Sequence, residues 1–117
     1  MNRKIDERTF DFALKIVALY KSLLGTKEFV LSKQVLRSGT SIGANVQEAQ
    51  AAQSRADFIS KMAIASKEAR ETDYWLRLLD ASGYMENYDD KECLLAEISS
   101  IINIITKIVK TTTQNPK

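Results

Sequence analysis

Arg37, Ser41, Asn45 and Glu48 follow one another at steps of four, four and three residues, which lays a cation, a hydroxyl, an amide and a carboxylate along one stripe of a helix. A second polar set, Glu68, Glu71, Thr72 and Tyr74, lies in one later stretch. Carboxylates that project into a helical bundle can hold paired metal ions, and neighbouring glutamates can divide acid and base roles. The metal chemistry draws on Glu-x-x-His pairs, and this chain contains no histidine. The same lack removes the usual general base and the commonest zinc ligand, while Cys93, the single cysteine, has no thiol partner. Nothing beside Glu68 and Glu71 reads as a nucleophile or a substrate pocket. Arg37, Ser41, Asn45, Glu48, Glu68, Glu71 and Thr72 are therefore expected to form a structural layer that fixes the register of two helices. No catalytic residue, cofactor or metal is expected, and the chain does not read as an enzyme.

The elements that must position this layer follow from composition and periodicity. A chain of 117 residues, 44% hydrophobic, with one proline and four glycines, has room for one domain with one modest core. Phe10, Ala13, Leu14, Val17, Tyr20 and Leu24 take three-and-four steps, which predicts a helix over 5–25 closed by Gly25. Phe58, Met62, Ala65, Ala69, Thr72, Leu76 and Leu79 form a heptad seam on a helix over 55–82, capped by Ser54 and Asp57 and ended by Gly83. Leu94, Ile98, Ile101, Ile105 and Ile108 predict a last helix over 90–110, opened by Asp89 and Glu92, with residues 111–117 as a fraying tail.

The stretch SGTSIGANVQEA, Ser38 to Ala49, must belong to the remaining helix, 31–53, because Val35, Gly39, Ile42, Val46 and Ala49 repeat the same pattern. A glycine inside a helix costs up to about 1 kcal/mol against alanine, so Gly39 and Gly43 are expected where backbones approach closely. The phosphate-loop alternative needs a preceding strand and a suitably placed lysine, and the sequence offers neither. The fold class is then all-α, an antiparallel up-down-up-down four-helix bundle in a single domain over 1–117. Leu95, Ile102, Ile104 and Val109 widen the apolar surface of the last helix beyond one core, which suggests a subunit interface; a deeply buried helix in a monomer is the plainer alternative. Cys93 in its apolar surroundings reads as a small buried hydrophobe. Trp75 and Tyr74, beside the seam, are expected to pack in the core or between subunits rather than to stack on bases.

The run LRSGTSIGANVQEAQAAQSRADFISKMAIASKEARETDYWLRLLDASGY, Leu36 to Tyr84, carries a resemblance. Its pieces RSGTSIGAN, the following EA, the DF of Asp57 and Phe58, and KEARETDYWLRLL resemble the four-helix-bundle family first noticed as reading frames inside intervening sequences of bacterial 23S ribosomal RNA genes. The resemblance implies a closed ring, a homopentamer, and a distant likeness to the accessory protein of diversity-generating retroelements, a basic pentameric bundle that works with RNA. It implies no catalytic motif and no settled biochemical activity.

Charge sharpens the expectation about partners. Residues 1–40 hold eight basic and four acidic side chains, residues 41–100 six and eleven, and residues 101–117 three and none. In an up-down-up-down bundle one end gathers Arg3, Lys4, Arg8, Arg55, Lys107, Lys110 and Lys117, partly offset by Asp6, Glu7 and Asp57, and the other Asp80, Glu86, Asp89, Asp90 and Glu92. A ring of copies would multiply the basic end into a rim for RNA backbone; ordinary solubilising charge is the plainer reading. An unidentified protein partner is the other class of ligand. The charged N-terminus lacks the apolar core of a signal peptide, and no apolar run approaches the ~20 residues of a membrane span, so a cytoplasmic chain without membrane contact is expected.

Overall fold

The computed structural model of the chain describes residues 4–114. Its helices are α1 (Ile5–Gly25), α2 (Leu31–Gln50), α3 (Arg55–Ala81) and α4 (Lys91–Gln114), with no strand among the described residues. Each helix packs on its neighbour in sequence and α4 returns to α1, which makes an antiparallel four-helix bundle of 50 × 25 × 22 Å.

Three helices bury the faces that their periodicity predicts. Val35, Ile42, Val46 and Ala49 of α2, Met62, Ala65, Ala69, Leu76 and Leu79 of α3, and Leu94, Ile98, Ile101 and Ile105 of α4 build the core, and Met85 from the α3–α4 loop joins it. Helix α1 departs from expectation. It buries Thr9, Phe12, Ile16, Leu19 and Leu23, and leaves Phe10 59% and Leu14 56% exposed. Both sets take three-and-four steps, so periodicity cannot choose between them; in the bundle Ile16 seats against Gly39 of α2 and Phe12 joins the common core.

The connections set the helix ends. Gly25 is the last residue of α1 rather than its stop: Lys27 takes the left-handed conformation at φ 66°, and the amides of Lys27 and Glu28 donate to Leu24 and Leu23 in a Schellman closure. The chain then turns back through Glu28, whose buried carboxylate accepts from the amides of Val30 (3.1 Å), Leu31 (3.0 Å) and Ser32 (2.5 Å) at the start of α2. Burial pushes this carboxyl up, and the amides outweigh it, so it sits below the usual carboxylate range. Helix α2 stops at Gln50, short of the expected 53, because Ala51 and Ala52 donate to Glu48 and Ala49 in tightened three-residue turns. Ser54 caps α3, its Oγ accepting from Asp57 at 3.0 Å, and Gly83 at φ 89° closes it. Helix α4 runs to Gln114, past the expected end at 110; Thr112 donates to the Ile108 carbonyl at 2.8 Å, and no proline intervenes before Pro116. The rest of the expected tail, 115–117, lies outside the described residues.

Candidate functional site

The stripe on α2 meets α3. Arg37 forms ion pairs with Glu68 at 3.2 Å and with Glu71, and Ser41 donates to Glu68 at 2.9 Å. Glu48 pairs with Lys61 at 3.0 Å. Asn45 departs from the group: its amide donates to the Ser41 carbonyl of its own helix at 2.9 Å. Glu71 also accepts from the Trp75 indole at 3.0 Å, which holds its carboxyl below the ordinary value against the opposing effect of burial and with help from Arg37. Deeper in, the fully buried Thr72 donates to the Glu68 carbonyl at 2.8 Å, and its Oγ1 lies 2.9 Å from the Oγ of Ser38. Ser38 went unnoticed in the sequence because it falls one position before Gly39 and reads as a small residue of the seam.

The two glycines approach α1. A Cβ built on Gly39 would lie 2.9 Å from two carbons of Ile16, and one on Gly43 would lie 3.3 Å from the backbone oxygen of Thr9. Helix α1 also reaches α4 through Arg8, which donates to both carboxylate oxygens of Glu97 at 3.0 and 2.8 Å and to Ser100 at 3.0 Å. Nearby, Lys15 donates to Cys93 at 3.1 Å. Cys93 is exposed, contrary to its expected burial, because it precedes Leu94 and that residue takes the core position.

The apolar face expected to be free on α4 is partly used within the chain. Leu95, Ile102 and Val109 are half-buried and pack against the core, and Ile104 is half-buried as well. The exposed large apolar side chains are elsewhere: Phe10 and Leu14 on α1, Phe29 and Val30 in the α1–α2 connection, Ile64 and Tyr74 on α3, and Tyr84 beyond it. Tyr74 is 51% exposed and meets half-buried Trp75 edge to face, with centroids 5.1 Å apart. At the expected basic end, Lys4, Lys107 and Lys110 are exposed and Arg55 is half-buried. Arg8 is drawn away to Glu97, and Arg3 and Lys117 lie outside the described residues. No described group of three or more acidic, cysteine or histidine side chains is arranged to hold a metal ion, and no described helix is long and apolar enough to cross a membrane.

A family model described as 23S rRNA-intervening sequence protein matches residues 1–107. Among solved structures, the chain is similar to a protein of unknown function from the S23 ribosomal protein family of Bacteroides thetaiotaomicron VPI-5482. That structure shares 49% sequence identity at a TM-score of 0.87, over 92% of this chain and 99% of its own. No curated protein matches the chain.

Proposed function

The chain belongs to the 23S rRNA-intervening sequence protein family, and from that premise we propose that it is a non-enzymatic assembly module. In this reading it is a cytoplasmic helical bundle that joins copies of itself into a closed ring, a homopentamer as the family resemblance implies, and offers that ring to a protein partner. The carrying observation is the outward placement of Phe10 and Leu14, 59% and 56% exposed on a helix that already buries a complete second apolar stripe. Fully burying a side chain of that size is worth about 1.5–3 kcal/mol, and covering the exposed half of each recovers part of that, so an uncovered pair favours association. The non-enzymatic reading draws support from the polar layer, where Arg37, Ser41, Glu68 and Glu71 are engaged with one another.

A second reading, RNA association, is favoured by exposed Lys4, Lys107 and Lys110 at one end of the bundle. In a ring these lysines would recur around a rim and contact phosphates without reading bases.

Sedimentation equilibrium of the full chain over a range of micromolar concentrations tests the assembly reading. A single closed mass, held across the range, supports it. A folded monomer at the highest concentration overturns it.

A further inference from the structure

We propose which surfaces meet in the assembly: the acidic, apolar face of α1 and α2 in one copy seats on the basic, apolar face of α3 in the next. This rests on the assembly reading and assigns its surfaces. The first face centres on Phe10 and Leu14, beside a cleft of about 220 Å³ lined by Asp6, Phe10, Ala13, Thr40, Gly43 and Ala44. The small residues leave room for an incoming side chain. Asp6, Glu7 and Asp11 lie beside Phe10 on this surface.

The outer face of α3 carries the complement. Ile64 and Tyr74 stand 40% and 51% exposed, and exposed Lys67 and Arg70 lie between them in sequence. Arg70 uses one guanidinium nitrogen on Thr106 at 3.0 Å. The two faces also share a height along the bundle. Gly43 abuts Thr9, and Ser41, two residues earlier on the same helix, bonds Glu68. Phe10 and Leu14 therefore sit level with the stretch from Ile64 to Arg70. Rotation about an axis parallel to the bundle preserves height, so these faces can meet in a cyclic assembly. Helices α1 and α3 are diagonal rather than adjacent in the bundle, which places the faces on different sides of one copy. Pairing either face with itself would oppose like charges, so a head-to-tail ring is the arrangement that satisfies both.

Charge exchange tests the assignment. Glu7→Lys and Lys67→Glu should each raise the dissociation constant of the assembly by about tenfold. The double variant, which reverses both signs in one chain, should return to within about threefold of the parent. Leu14→Asp should yield smaller species with unchanged helical circular dichroism. If the parent assembles and the single charge variants dissociate as it does, the face assignment is wrong. Additive weakening in the double variant also overturns it, as does dissociation by Ile104→Asp with Leu14→Asp without effect. A folded, monomeric parent would defeat the assembly reading itself, a result distinguishable from all of these.

Discussion

Gly39 of α2 faces Ile16 of α1 so closely that a methyl group at Gly39 would lie 2.9 Å from both Ile16 Cγ1 and Cγ2. These carbons branch directly from Cβ and cannot swing away as the end of a long side chain could. Gly39→Ala should therefore destabilise the bundle by about 1–2 kcal/mol: overpacking costs about 1–3 kcal/mol, and the gain in helix propensity offsets about 0.5–1 of it. A thermal melt checks this. The companion Ile16→Ala should reverse the sign of the Gly39→Ala effect, because it removes the atoms that clash.

Gly43→Leu should be more damaging, since its Cβ would meet the Thr9 carbonyl oxygen at 3.3 Å and the side chain must continue beyond it. A loss of at least about 2 kcal/mol is expected by denaturant unfolding. An unchanged midpoint would refute close packing at this position.

The buried pair Ser38 and Thr72 predicts a double-mutant cycle with strong coupling. Thr72→Val leaves the Ser38 hydroxyl without its side-chain neighbour and should cost about 1–3 kcal/mol, whereas Ser38→Ala combined with Thr72→Val should cost less than the sum of the singles. Strict additivity would show that the hydroxyls do not depend on each other.

Glu28→Gln should weaken the start of α2 by about 1–2 kcal/mol at neutral pH, because three backbone amides lose their charged acceptor. The carboxyl of Glu28 is held below its unfolded value, so its stabilisation is full above the unfolded carboxylate range and is lost as pH falls through the lower folded value. The stability difference between parent and Glu28→Gln should accordingly stay constant above about pH 5 and shrink below about pH 4. A difference that grows on acidification would contradict the assignment.

Lys107→Glu with Lys110→Glu separates the two functional readings. If the ring holds RNA by its basic end, anisotropy titrations with a structured ribosomal RNA fragment should show affinity falling steeply with salt in the parent. The double variant should bind at least about tenfold more weakly at equal assembly mass. Absence of binding by the assembled parent at low salt would reject RNA association.

The sequence made the bundle legible because α2 and α3 each carry one dominant apolar stripe with only one way to face a core, and on α4 the wider apolar surface still centres on the regular seam of Leu94, Ile98, Ile101 and Ile105. Helix α1 carries two, and its buried face was settled by tertiary packing, with Ile16 against Gly39 of α2 and Phe12 in the common core. The polar layer was readable from Arg37, Ser41, Glu68 and Glu71, whose spacing puts them on facing edges. Asn45 was not, since an amide one turn from a carbonyl can bond within its own helix. Glu28 escaped notice because its capping role depends on the left-handed turn at Lys27, a conformation that lysine composition does not advertise. The exposed pair on α1 was misread for the same reason that it matters: apolar periodicity marks a surface as coverable without saying by which chain.

The order in which the helices pack has a consequence for how the molecule forms. Every major helix contact except that between α1 and α4 joins neighbours in sequence, and loop closure over such short separations costs little chain entropy. The α1–α2 hairpin, with Lys27 and Glu28 shaping its turn and Gly39 and Gly43 admitting α1, can grow as a local unit. The bond from Arg8 to Glu97, spanning 89 residues, joins the two ends of the sequence. Local contacts of this kind favour fast folding of the single copy, with closure of the α1–α4 seam as the step that has the longest chain to bring together.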